Sequence, residues 1–122
     1  MAQKLTDLFQ QQKANEPWVS VEFYPPRTPE GVENLKGRIE RMQKGLNPVF
    51  GDITWGAGGS TSELTLELSK AMQDDYGLVT NMHLTCTNMP AEAVHTALEE
   101  AKAAGIRNIV ALRGDPPNGL DG

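Results

Sequence analysis

A carboxylate set by alternation among apolar residues is the first chemical feature of this chain. In the run Val19-Ser20-Val21-Glu22-Phe23-Tyr24-Pro25-Pro26-Arg27, Val19, Val21 and Phe23 share one face under the two-residue period of a strand. Ser20, Glu22 and Tyr24 share the other. Pro25 and Pro26 cannot donate to a sheet ladder, so they end the strand and leave Glu22 near its C-terminal end. Comparable polar series follow: Asp52 and Thr54, then Asn81, His83 and Thr85, then Arg113 and Asp115 just past a fourth apolar run. These residue types suit proton chemistry. Burial beside Phe23 and Tyr24 would disfavour the Glu22 anion and push its pKa toward neutrality, where it serves as a general acid.

Each of these residues also has a plainer reading. Glu22 could pair with a Lys or Arg, His83 could be a satisfied core histidine, Thr54 could cap a turn, and Arg113 could pair with Asp115 at the surface. Recurrence argues against the plainer set. Polar groups at four successive strand ends lie on the edge where barrels and open α/β sheets bind ligands.

Positioning them requires a regular frame. Leu5, Leu8 and Phe9 fall on one side of a short helix over Lys4–Lys13, which suits a lid or a docking helix. Asn15-Glu16-Pro17 breaks it before a first strand, Trp18–Tyr24. Thr28 caps the next helix, with Pro29 at its first position and Glu30 near its positive end. Val32, Leu35, Ile39, Met42 and Leu46 recur there at helical spacing, and Gly45 and Asn47-Pro48 stop it. A second strand, Val49–Thr54, feeds the turn Trp55-Gly56-Ala57-Gly58-Gly59. Ser60 and Glu63 then have the spacing of a capping box, opening a helix to about Tyr76 with an inner stripe of Leu64, Leu68, Ala71 and Met72, ended by Gly77. A third strand, Leu78–Thr85, precedes a helix opened by Pro90 and ended by Gly105, whose Val94, Ala97, Leu98, Ala101 and Ala104 keep the helical period. The fourth strand is Arg107–Leu112. One helix, three strand-helix units and a final strand, with short connections, predict a single α/β unit with parallel strands.

Composition narrows the function classes. A 122-residue chain with 39% hydrophobic and 22% charged residues is one globular domain. Eleven basic against sixteen acidic residues give −5 with no Lys/Arg cluster, which argues against a nucleic-acid partner. Cys86, the single cysteine, excludes an intrachain disulfide and a zinc cluster, and reads as a small packing residue; no metal site is expected. The N-terminus lacks a signal-peptide core and no apolar run nears a membrane span, so a cytoplasmic protein without a membrane partner is expected. The glycine turn has neither the Walker ending nor G-x-G-x-x-G spacing. It remains a turn whose backbone can approach a ligand, leading to a helix N-terminus suited to an anion. Arg113-Gly114-Asp115 spells an adhesion tripeptide that a chain without a secretion signal would not use.

Four segments together closely resemble the methylenetetrahydrofolate reductase family: Val21-Glu22-Phe23-Tyr24-Pro25-Pro26-Arg27, Asp52-Ile53-Thr54-Trp55-Gly56-Ala57-Gly58-Gly59, His83-Leu84-Thr85-Cys86-Thr87 and Ala111-Leu112-Arg113-Gly114-Asp115-Pro116-Pro117. They stand in the family's order, and the second and third look more eukaryotic than bacterial. The resemblance implies an eight-stranded β/α barrel that holds FAD, takes a hydride from NADH or NADPH, and reduces 5,10-methylenetetrahydrofolate to 5-methyltetrahydrofolate in one-carbon metabolism and methionine biosynthesis. It implies Glu22 as the acid that protonates the folate so that its five-membered ring opens to an iminium. It further implies that Thr54, Trp55 and Ala57 line the flavin and nicotinamide, that His83 contacts the flavin, and that Arg113, Gly114 and Asp115 form a flavin-binding segment. Asp115 would also face the folate and tune the flavin ring.

Length departs from that pattern, because such a barrel takes about 250 residues and eight strands. The expectation is therefore the N-terminal half of a (β/α)8 TIM barrel. Residues 1–122 would be a partial catalytic domain, with residues 1–16 as its N-terminal helix, and a homo-oligomer is expected. The alternative is a catalytically inactive half-barrel scaffold that self-associates or complements its missing half.

Overall fold

In the computed structural model, residues 3–55, 62–86 and 89–113 are described. Elements follow in the order α1 (Leu5–Gln11), β1 (Val21–Phe23), α2 (Pro29–Leu46), β2 (Gly51–Ile53), α3 (Ser62–Asp74), β3 (Thr80–Thr85), α4 (Ala91–Ala103) and β4 (Asn108–Leu112). The four strands form one sheet in sequential order with every neighbouring pair parallel. This is the expected α/β arrangement, with the strand order and crossover helices of half a β/α barrel.

Local sequence accounts for the boundaries. Thr28 Oγ1 accepts from the Gly31 amide at 3.0 Å and Pro29 supplies the first residue of α2, so this helix begins as its sequence requires. Asn47 ends it in the left-handed region at φ 46°. Gly77 (φ 67°) and Gly105 (φ 81°) turn the chain after α3 and α4, where a Cβ would be strained. After α3 the Leu78 amide reaches back to the Met72 carbonyl at 3.1 Å, the long bond of a Schellman-type ending. α3 stops at Asp74, short of Tyr76. The strands β1 and β2 are shorter than expected; β1 lies at the sheet edge, and Trp18 and Val19 before it are about half exposed.

The outer layer holds the core. Phe23, Ile53 and Leu78 pack with Leu35 and Ile39 of α2 and Leu68 and Met72 of α3. A second cluster joins Trp55, Met82 and Leu84 to Ala101 and Ile106. The buried stripe of α3 is Thr65, Leu68, Ser69 and Met72, so two small hydroxyl residues stand where Leu64 and Ala71 were expected to face fully inward. Thr65 is accepted there because its hydroxyl donates to the Thr54 carbonyl at 2.9 Å. Leu46 and Leu98, expected in buried stripes, are 56% and 39% exposed. Leu46 is the last residue of α2, beyond the turns that carry Leu35 and Ile39.

The helix α1 docks across the N-terminal edge of the sheet, the end opposite the polar strand ends. Asn108, at the start of β4, accepts from the Leu5 amide at 2.8 Å and donates to the Gln3 carbonyl at 2.9 Å. Phe9 stacks on Trp18 and meets Phe50 edge-on, with centroids 5.6 and 5.8 Å apart. It is a docking helix, not a lid over the strand ends. No described helix is long and apolar enough to cross a membrane.

Candidate active site

Strand register brings the polar series together. Glu22 pairs with Asp52 and Asp52 with Asn81 across β1, β2 and β3, which puts their side chains in one row on the face away from the core helices. His83 lies two residues farther along β3 on the same face. Asp52 Oδ1 accepts from Asn81 Nδ2 at 2.7 Å and lies 3.1 Å from His83 Nε2. Glu22 Oε1 is 3.7 Å from the same His83 nitrogen, a charge contact when the imidazole is protonated.

The row is graded in exposure. Side chains of Asp52 and His83 are 14% and 15% exposed, whereas that of Glu22 is 47% exposed. This corrects the expected burial of Glu22: Phe23 points to the opposite, core face, and Tyr24 is 73% exposed. Among the described residues the charged neighbour of Glu22 is His83, where the plainer reading had a Lys or Arg. His83 is satisfied, as the plainer reading has it, by Asp52, but it stands on the polar face beside two carboxylates and outside both core clusters.

Thr54 stands at the end of β2, its amide donating to the Phe23 carbonyl at 3.0 Å and its carbonyl held by Thr65. Arg113 is exposed one residue past β4. Trp55 is not brought to this face. Its indole is buried in the outer layer, lining a cavity of about 260 Å³ between α3 and α4 with Leu66, Met82, Met89 and Ala97, and its Nε1 is buried without a hydrogen-bond partner among the described residues. Ala57, Gly114 and Asp115, with the Ser60 of the expected capping box, lie outside the described residues. Cys86 is exposed, not a packing residue, because it follows the last residue of β3. Among the described residues no group of three His, Cys, Asp or Glu is arranged to hold a metal ion.

Asp52 and Asn81 belong to the polar strand faces, but sequence reasoning gave them no site role. The signal for them was the alternation that selected Glu22, which puts Asp52 on the polar parity of its strand with Thr54 and Asn81 on that of His83 and Thr85. The assembled group offers a half-exposed carboxyl beside an imidazole that a second carboxylate holds, on the edge where β/α proteins bind ligands.

A family model described as methylenetetrahydrofolate reductase matches residues 7–122, nearly the whole chain. The chain belongs to the methylenetetrahydrofolate reductase family. Methylenetetrahydrofolate reductase (NADH) 1 of Zea mays is 58% identical over 102 residues, covering 84% of this chain and 17% of the maize protein. The protein of the same name in Arabidopsis thaliana is 56% identical over 102 residues, with the same 84% and 17% coverage. Methylenetetrahydrofolate reductase 1 of Schizosaccharomyces pombe is 52% identical over 102 residues, again 84% of this chain and 17% of that protein. The chain therefore spans about a sixth of the length of these reductases.

Proposed function

We propose that the protein containing these residues reduces 5,10-methylenetetrahydrofolate to 5-methyltetrahydrofolate, with FAD as cofactor and NADH or NADPH as hydride source. The observation that carries the reading is the convergence of Glu22, Asp52, Asn81 and His83 on one open sheet face of a chain in this family. The plant relatives carry NADH in their names, which supports a nicotinamide co-substrate and leaves the choice between NADH and NADPH to measurement.

The residues present suit a flavin dinucleotide. Thr54 and His83 offer hydrogen-bonding groups at adjacent strand ends, and the exposed Arg113 supplies a cation at the next. In this reading these three hold the cofactor together with Ala57, Gly114 and Asp115, while Trp55 contributes from its backbone, its indole being committed to the outer layer. Bound FAD would supply two-electron transfer between nicotinamide and folate. Glu22 supplies the proton: a folate lying over this face would exclude water from the carboxyl, and donation to the substrate nitrogen opens the five-membered ring to the iminium that accepts the hydride. Asp115 would assist at the folate and the flavin ring. A cytoplasmic location and a homo-oligomeric state belong to the same proposal.

The test joins the 122 residues to their natural downstream sequence and follows flavin reoxidation by methylenetetrahydrofolate. Glu22→Gln is expected to lower this half-reaction by about 10² to 10⁴-fold, with the flavin still bound. Unchanged turnover would overturn the assigned role.

One observation favours a second reading for the 122 residues alone. Among the described residues β1 and β4 each pair on one side only, and such edges invite another chain. The isolated chain would then be a non-catalytic half-barrel scaffold, colourless after desalting. A bound-flavin absorbance that survives desalting would rule this out.

A further inference from the structure

His83 Nε2 has two carboxylates within reach, Asp52 Oδ1 at 3.1 Å and Glu22 Oε1 at 3.7 Å. Only the nearer one is at hydrogen-bonding distance. A neutral imidazole carries one N–H, and a ring nitrogen that meets a carboxylate this closely does so as the donor, because its lone pair would otherwise face an anion. Asp52 cannot readily follow a moving ring. The same Oδ1 accepts from Asn81 Nδ2 at 2.7 Å, its residue is the register partner of Asn81 on the neighbouring strand, and its side chain is only 14% exposed.

We propose that Asp52 is a positioning residue that fixes His83 as the Nε2–H tautomer and takes that hydrogen bond away from Glu22. Two consequences follow from the division. The Glu22 carboxyl stays uncommitted and half exposed, open to a ligand above the sheet. His83 is left with Nδ1 as its free nitrogen, an acceptor suited to an N–H or O–H group of that ligand. Asn81 takes part indirectly, by holding Asp52 Oδ1 in the line of the imidazole. The tautomer assignment stands on distances alone, whereas its benefit to an acid at Glu22 rests on the reading under Proposed function.

Long-range proton–nitrogen correlation of the imidazoles in the 122-residue chain tests this directly. The chain has two histidines, His83 and His95, so His83→Gln assigns the signals. At a pH where the ring is neutral, His83 is expected to give the pattern of a single Nε2–H tautomer. Asp52→Ala is expected to lose that pattern, and Asp52→Asn, which keeps an oxygen where Oδ1 lies, to restore it. A dominant Nδ1–H tautomer in the unsubstituted chain overturns the proposal, as does a pattern unchanged in Asp52→Ala. The unsubstituted chain decides the matter even when Asp52→Ala does not fold. No flavin or folate enters this measurement, so a failed reductase assay would overturn the functional reading and leave the tautomer result standing, and the reverse.

Discussion

Glu22 and Trp55 show how one residue of offset on a strand decides a side chain's surroundings. Glu22 shares its face with Asp52, Asn81 and His83, whereas Trp55 follows the parity of Ile53 and enters the outer layer with Met82, Leu84, Ala101 and Ile106. The position of Glu22 was legible from alternation alone. Its exposure was not, because burial depends on what lies above the sheet face. For Trp55 the cost lies in its indole N–H, buried with no acceptor among the described residues. An unpaired buried donor costs about 1–3 kcal/mol, so Trp55→Phe is expected to leave stability unchanged or raise it by about 1 kcal/mol in urea unfolding. Trp55→Ala, which removes the ring from the second cluster, should lose about 3–5 kcal/mol. A Trp55→Phe loss as large as that of the alanine variant would show that the N–H has a partner.

At the scale of elements, helices α2, α3 and α4 follow from local signals in the sequence, while α1 owes its place to a distant one. A helix of seven residues is marginal alone, and its single buried residue, Leu8, cannot hold it. Asn108 does much of that work from more than a hundred residues away, accepting from Leu5 and donating to the Gln3 and Thr80 carbonyls. Asn108→Ala is expected to cost about 1–3 kcal/mol and to speed amide hydrogen exchange through α1, with α2 and α3 protected as before. Equal exchange in α1 of both proteins would refute this anchoring. The stripe of α3 carries a similar lesson. Thr65 and Ser69 are among its buried residues, and for Thr65 the reason is a carbonyl at the end of β2 that no reading of the helix by itself could supply.

At the scale of the whole molecule, the described sheet ends in two strands with one described neighbour each, and the approach to β1 exposes Trp18 and Val19. The isolated 122-residue chain is therefore expected to associate in sedimentation velocity experiments. Val19→Lys, which places a charge beside the β1 edge, should shift it toward monomer; an unchanged distribution would locate association elsewhere. The sequence by itself determined the α/β class, the order of elements, the Thr28 cap of α2 and the polar parity of the first three strands, because these depend on neighbours within a few residues. The segments around Glu22, Thr54, His83 and Arg113 also carried the family resemblance. Only the tertiary structure decided that Asp52 stands between Asn81 and His83, that Glu22 remains half exposed, that Trp55 turns outward and that α1 closes the opposite end. Each of these depends on strand register or on contacts between residues distant in the chain, and no local pattern encodes which atoms those pairings bring within 3 Å.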